Sequence, residues 1–213
     1  MKLTVHTFLT LDGVMQGPGG RDEDPSDGFD HGGWLVPHID EDFDRIVNRW
    51  FSEADAILLG RSTYDMMRGF WTEVDDPADA VASALNGLPK HVVSTTLTDP
   101  TWRNSTVIAD DVVQAVTALK ELPGRELQVH GSWQLVRTLH DAGLVDEYRL
   151  LVFPVVLGHG KRLFPDGAAT TGFTLVDSEV TGKGVIHQVL RPTAFGTGEV
   201  VVEDGREVIV RPE

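Results

Sequence analysis

Apolar and polar positions alternate from Lys2 to Leu9 and stop at Leu11-Asp12-Gly13, which predicts a strand ending in a tight turn. Residues 16–33 lose all periodicity. Gly, Pro and Asp dominate there, from Gln16-Gly17-Pro18-Gly19-Gly20 through Pro25 to Gly33, and a loop of that length inside a compact domain is either functional or floppy. A helical period returns over 42–51, where Phe43, Ile46, Val47, Trp50 and Phe51 fall at i, i+3, i+4, i+7 and i+8. Residues 54–59 are apolar at every position but Asp55, the signature of a strand buried on both faces.

The alternation of strand and helix then repeats. A helix opens at Arg61 and another is predicted over 77–85. Residues 90–94 read as a strand. A helix over 110–122 puts Val112, Val113, Val116, Leu119 and Leu122 on one side. Residues 127–130 read as a strand and 132–142 as a helix, with Gly143 where a left-handed C-terminal cap is expected. A strand rich in Leu and Val spans 146–156. Strands that alternate with helices pair in parallel through crossovers. The final third changes character: 174–180 and 185–190 flank Thr181-Gly182-Lys183-Gly184 as an antiparallel hairpin, and 199–210 form a second one turning at Asp204-Gly205. One α/β domain with a mostly parallel, mixed sheet accounts for the pattern.

Composition narrows the function. The chain has 213 residues, 41% of them apolar, enough for a sizeable core. No stretch approaches the roughly 18 apolar residues that span a bilayer, and Met1 to His6 carries no secretory apolar segment. The absence of cysteine excludes disulfides, thiolate metal sites and a cysteine nucleophile, and points to the cytoplasm. A formal charge of −15 argues against nucleic acid as a partner, because such binding rests on Lys and Arg neutralising phosphates. It leaves room for a small anion held by a local cation.

Leu58-Leu59-Gly60-Arg61-Ser62-Thr63-Tyr64-Asp65 offers such a place. An apolar strand runs into one cation, two hydroxyls and the free N–H groups of a starting helix, which is an anion-binding arrangement. Gly131-Ser132 follows another strand and opens a helix, and reads equally as a tight turn with Ser132 as N-cap. Ser94-Thr95-Thr96 follows a third strand, as a hydroxyl-rich ligand loop or a plain polar one. Together with 154–158 these segments lie at carboxyl ends of predicted parallel strands, where ligands collect in open α/β sheets. Neither a Gly-x-Gly-x-x-Gly fingerprint nor a phosphate loop is present, since Gly160-Lys161 precedes Arg162 and Gly182-Lys183 precedes Gly184. The eight histidines include no His-x-x-x-His pair, so no metal site is expected, and no Gly-x-Ser-x-Gly elbow marks a hydrolase. His130 reads as a strand-end residue before a catalyst. Asp40, after Trp34-Leu35-Val36-Pro37-His38-Ile39, either stabilises a helix N-terminus or gives a proton to a substrate.

The ordered set of motifs resembles a family. Thr10-Leu11-Asp12-Gly13, Leu59 to Asp65, Lys90 to Leu97, Trp102 to Ser105, Gly131-Ser132, Ala142 to Glu147 and Pro154 to Phe164 are similar to segments of the dihydrofolate reductase-like family that includes the reductase domain of bacterial riboflavin biosynthesis, the RibD C-terminal type. The resemblance covers residues 1–192 and leaves 193–213 as an extension. It implies a three-layer α/β/α fold of dihydrofolate-reductase type, NADPH as hydride donor with NADH as the alternative, and a homodimer acting on a small molecule. In that frame Gly60, Arg61, Ser62, Thr63, Ser94, Thr95 and Thr96 meet cofactor phosphates, while Gly131, Ser132 and Leu135 approach the pyrophosphate. Asp12 and Gly13 belong to the loop over the nicotinamide. Asp12 and Asp40 are the catalytic candidates, and Trp34, Pro154, Val156, Gly158 and Lys161 those for the substrate. Relatives carry Arg at the position of Thr95, a small residue at Trp133 and an aromatic at Leu190, and the missing cation weakens the preference for NADPH over NADH. The default substrate is the phosphoribosylamino-pyrimidine of riboflavin synthesis, with Lys161-Arg162 as the paired cations for its phosphate. Two alternatives are a nucleotide- or flavin-binding module without turnover and a dihydrofolate reductase.

Overall fold

β1 (Lys2–Thr10) is the strand around which the sheet is organised, with β5 on one side and β6 on the other. The structure, a computed structural model, describes residues 1–210. After β1 come α1 (Glu41–Glu53), β2 (Ala54–Gly60), α2 (Arg61–Trp71), α3 (Ala80–Gly87), β3 (Lys90–Val93), β4 (Ser105–Ile108) and α4 (Val112–Lys120). Then follow β5 (Glu126–His130), α5 (Trp133–Asp141), β6 (Glu147–Phe153), β7 (Gly172–Val180), β8 (Ile186–Thr193), β9 (Glu199–Glu203) and β10 (Arg206–Val210). Eight strands form one sheet in the order β4-β3-β2-β5-β1-β6-β8-β7. Pairing is parallel from β4 to β6 and antiparallel from β6 through β8 to β7. The β9–β10 hairpin is a separate two-stranded ribbon that pairs with no strand of the main sheet.

The apolar run in β2 shows why the architecture has three layers. Ile57 and Leu59 enter the core built with Phe43, Ile46 and Trp50 of α1, Tyr64 of α2 and Leu85 of α3. Ala56 and Leu58 point the other way, into a core completed by Val116 of α4 and Val136 and Leu139 of α5. Each fully buried Leu or Ile contributes about 1.5–3 kcal/mol. Helices therefore cover both faces of a mostly parallel sheet, as the resemblance implied.

Several spans differ from the periodicity reading. The helix expected over 77–85 starts at Ala80, because the Asp79 side chain accepts the Ala82 N–H at 2.8 Å and caps it. The helix expected over 110–122 is Val112–Lys120, capped by Asp111, and Val113 and Leu122 are exposed where a single buried side was expected. The strand expected over 146–156 ends at Phe153, since Pro154 has no N–H to continue the ladder. β4 was not anticipated. It is four residues long and opens Ser105-Thr106, too short and polar for a visible pattern.

One feature of the sheet runs against its apolar character. Between the sheet and α1 lies a polar strip from β1, β5 and β6. Arg149 is the hub: its guanidinium donates to Glu126 at 2.6 Å and meets Glu147 at 3.1 Å and Glu53. Glu147, almost fully buried, also receives Lys2 at 2.6 Å and Arg191 at 3.1 Å. Burial works to raise the carboxyl of Glu147, yet bonds from Lys2 and the charge of Arg149 hold it below the usual range. Burial pushes Glu126 up in spite of Gln128 and Arg149. Removing one member of such a set strands the others. Arg149→Met is expected to destabilise the protein by about 3–5 kcal/mol in urea unfolding, and a loss below about 1 kcal/mol would show that the acids reach solvent on their own.

Candidate functional site

The carboxyl ends of β2 and β5 are joined by one side chain. Gly131 and Ser132 both adopt left-handed backbone, at φ 62° and 65°, and this turn carries Ser132 across to β2. Its Oγ accepts the Gly60 N–H at 2.8 Å and donates to Thr63 Oγ1 at 2.8 Å. The approach is close enough that any side chain there would crowd its neighbour. A Cβ on Gly60 would lie 3.1 Å from Ser132, and one on Gly131 would lie 3.3 Å from Thr63.

The consequence appears at the helix ends. α1, α3 and α4 begin with Asp40, Asp79 and Asp111, each accepting an N–H of the first turn. α2 and α5 begin with Gly60 and Ser132 and have no side-chain cap. Both open onto one groove of about 700 Å³, lined by Gly60, Arg61, Ser132 and Leu135 among others. Two sets of unpaired N–H groups thus face the same space. Among the described residues Arg61 is the only Lys or Arg lining this groove, and its Nε donates to Asp65 at 2.5 Å one turn along α2.

Ser62, Thr63, Ser132 and Trp133 line both this groove and a second cleft of about 780 Å³. The cleft is bounded by β1, the Met66-Met67 face of α2 and the loop after β1, which contributes Gly17, Pro18, Glu23 and Asp24. A third cavity of about 1120 Å³, between α1 and the segment 78–85, shares Phe8, Met67 and His130 with the cleft. The three compartments adjoin in sequence along the carboxyl edge of the sheet.

The long loop is ordered by Gln16. Its buried amide donates to the carbonyls of Asp24 and Ser26 at 3.1 and 3.0 Å and accepts the Lys161 N–H at 3.0 Å. Lys161 Nζ then reaches Asp24 at 2.7 Å and Ser26 Oγ at 2.6 Å. Glu23 takes the N–H groups of Gly19 and Gly20 at 2.6 and 2.9 Å, but burial dominates and pushes its carboxyl above the usual range.

The floor of the cleft holds an aromatic stack that the sequence reading missed. Phe51 lies flat on His130 at 4.6 Å, His130 stacks on His6 at 5.1 Å, and Trp50 meets His6 edge-on. Burial pushes the His130 imidazolium down to about 3, so the ring is neutral. Gln128 spends its NH₂ on the Trp50 carbonyl and Glu126, leaving its oxygen to accept from His130 Nε2 at 3.0 Å. With the proton so assigned from the network, His130 Nδ1 is a bare acceptor on a ring that lines both cleft and cavity. No single-strand motif signals this pair, because Val5↔Val129 and His6↔His130 become neighbours only through β1–β5 pairing.

The other expected residues fall elsewhere. Asp12 takes Thr10 Oγ1 at 2.6 Å and the Gly158 and Leu157 N–H groups. Although burial opposes it, these bonds hold its carboxyl down at about 2, so Asp12 is a latch between turns with no proton to give. Asp40 caps α1 through Phe43 at 2.9 Å and takes the Lys183 N–H at 2.9 Å, and neither aspartate lines any of the three compartments. Trp34 is core: its indole donates to the Gln16 carbonyl and its ring meets Phe153 edge-on. Pro154, Val156 and Gly158 lie on an exposed turn, and Arg162 is spent on Asp12 and Gly158. Gly13 (φ 78°) forms the turn before Val14. Ser94 is folded into its own turn, accepting from Thr96 and Leu97, and of that stretch only Val93 lines the groove, not Thr95 or Thr96.

Comparisons agree with this architecture. The profile of the RibD C-terminal domain matches residues 1–187. Two uncharacterized proteins of Bacillus subtilis (strain 168) are similar over 190 residues and 88% of this chain: YyaP at 29% identity, over 93% of its length, and YwjB at 26%, over 97%. Among solved structures, a Shewanella sp. PV-4 protein provisionally named for riboflavin biosynthesis superposes with a TM-score of 0.65 at 21% identity, over 91% of this chain and 100% of its own. A pyrimidine reductase-like protein of Corynebacterium diphtheriae gives 0.61 at 13%, over 91% and 92%. Among the described residues no helix is long and apolar enough to cross a membrane.

Replacing Ser132 tests the junction itself. Ser132→Ala leaves the Gly60 N–H without its acceptor and is expected to cost about 1–3 kcal/mol in urea unfolding. A change indistinguishable from zero would mean that the strand ends hold their spacing without the bond.

Proposed function

Because the chain belongs to the RibD C-terminal domain family, a family of reductases, we propose that it is a nicotinamide-nucleotide-dependent reductase, with NADPH as donor and an unphosphorylated small heterocycle or carbonyl compound as acceptor. The observation that carries this reading is the pair of uncapped helices, α2 and α5, facing one groove. Backbone N–H groups at two helix N-termini suit a diphosphate, which a chain of net charge −15 must bind through local donors. Arg61 would meet the additional phosphate that distinguishes NADPH from NADH, exchanging its bond to Asp65 for a stronger one. Gly60 and Gly131 allow the backbone approach, and Ser62, Thr63 and Ser132 line the passage into the cleft.

When bound, the cofactor supplies a hydride, and the chain supplies position, dryness and a proton. Met15, Met66 and Met67 give the cleft an apolar wall. His130, neutral and with Nδ1 free to accept, orients an N–H or O–H of the acceptor molecule. Glu23 is the proton donor we propose in place of Asp12 and Asp40, because it lines the cleft and burial keeps its proton on to higher pH.

The preference for an unphosphorylated acceptor follows from the cations. Among the described residues Lys161 is the only Lys or Arg lining the cleft, and Asp24 and Ser26 already hold it. The described residues that line the adjoining cavity include Asp44 and Asp79 and neither Lys nor Arg. A phosphate brought there would lose its water without gaining a counter-charge. The phosphoribosylated intermediate of riboflavin synthesis is thus a poorer fit than an uncharged ring. Exposed Leu175 and Val180 on β7 and Val200, Val202 and Ile209 on the β9–β10 ribbon provide the surface for the homodimer that the family reading includes.

Titration of the purified protein with NADPH and NADH, followed by nicotinamide fluorescence, tests the cofactor reading. NADPH is expected to bind saturably, and Arg61→Ala to weaken it by ten- to a hundredfold, about 1.5–3 kcal/mol, with little effect on NADH. Failure of both nucleotides to bind overturns the proposal, and binding without turnover across phosphorylated and unphosphorylated acceptors favours a binding module. For Glu23 the pH dependence carries a sign. Its raised pKa keeps the donor protonated in the acid range, so turnover falls as pH rises through that pKa. Glu23→Gln is expected to lower kcat by about a hundredfold and to erase the alkaline limb. A limb that persists in Glu23→Gln assigns the proton to another group.

A further inference from the structure

Histidines far apart in the sequence meet at the outer edge of the long loop. His31 Nδ1 lies 3.4 Å from Asp30 Oδ1, His159 Nε2 lies 3.9 Å from the same oxygen, and the three donor atoms fall within 4.8 Å of one another. The geometry points to a binding site for one divalent transition-metal ion, held by His31, His159 and Asp30, that clamps the loop after β1 to the turn after β6. Two imidazoles and one carboxylate form the donor set of borderline ions such as Zn²⁺, Co²⁺ and Ni²⁺, and carboxylate-only cation sites are of another kind. A tetrahedral or octahedral ion with bonds of about 2.0–2.2 Å needs donors roughly 3–3.5 Å apart. The Asp30–His31 pair already meets that spacing, and His159 closes by rotation of an exposed side chain.

The two rings are positioned by a common support. Phe29, buried in the main core, packs edge-on against His31 at 6.0 Å and at a tilt against His159 at 5.6 Å, and the two imidazoles are themselves 5.0 Å apart. Phe29 is in turn wedged between the loops, where a Cβ on Gly17 or Gly160 would come within 3.2 or 3.1 Å of its ring. The remaining coordination positions face solvent, so waters complete the shell. An ion here links 29–31 to 158–160. Gly17, earlier in the loop after β1, and Lys161, the residue after 158–160, line the cleft. The ion is a clamp on one wall of the cleft and takes no part in hydride transfer, so the inference stands apart from the reductase reading. The chain's net charge of −15 further favours a cation over an anion at its surface.

Tag-free protein titrated with Co²⁺ reads the site directly, through the visible absorption of a nitrogen-ligated ion and through calorimetric stoichiometry. One ion per chain is expected, displaced by Zn²⁺, with affinity at least tenfold weaker in His31→Ala and in His159→Ala. Limited proteolysis within 16–33 should slow on adding the ion to wild type and stay unchanged in His159→Ala. The metal-free melting temperature of each variant, expected to equal wild type because both side chains are exposed, separates loss of ligand from loss of fold. No stoichiometric binding, or equal binding in both variants, overturns the site. Binding without protection of the loop overturns the clamp.

Discussion

The geometry of the site rests on one hydroxyl that has left its customary duty. A serine before a helix ordinarily caps that helix, but Ser132 sits in a left-handed turn and reaches instead to Gly60 and Thr63. Two strand ends are fixed against each other, and the first turns of α2 and α5 keep their N–H groups unspent. The arrangement trades local helix stability for two converging dipoles, the condition under which a chain rich in acids can attract a phosphate chain. The remaining helices carry no such role and are capped by aspartate in the ordinary way.

Polar residues behind the site serve two purposes. The Arg149 cluster holds β1, β5 and β6 in register beneath α1, while Gln128, two residues along β5 from Glu126, turns the same network toward the cleft by fixing the tautomer of His130. Burial strips charge from both histidines of the stack, so this wall meets a ligand with lone pairs and aromatic edges, not with cations. The cationic and neutral halves of the site are thereby separated: Arg61 faces the groove, and the cleft and cavity beyond it have no uncommitted positive group among the described residues that line them.

Much of the fold was legible because the relevant signals are local. The 3.6-residue period of α1 and the two-sided apolar run of β2 each state an element and its burial. Gly60-Arg61 and Gly131-Ser132 were visible because parallel topology says that strand ends matter. The stack of His6 and His130 was not, since a strand's alternation says nothing about which strand lies beside it. Asp40 was ambiguous for a chemical reason: the carboxylate that can give a proton is also a good helix cap, and only the Phe43 and Lys183 bonds decide between them. The cluster of Asp30, His31 and His159 depends on two loops meeting, which no period encodes.

The place of β1 has a consequence for how the chain comes to be folded. Lys2 pairs with Glu126 and Thr4 with Glu147, so the central strand is made long before either neighbour leaves the ribosome. Until then Leu3, Val5 and Leu9 are an apolar ribbon with both edges open, the kind of segment that associates with other chains. Its ladder partners are also distant in sequence, which raises contact order and slows the closing of the sheet. The groove mouth, joined across 72 positions from Gly60 to Ser132, forms in the same late event. An assembled groove in this protein is therefore a report on completed folding, and a nascent or truncated chain lacking β5 lacks the Gly60–Ser132 junction.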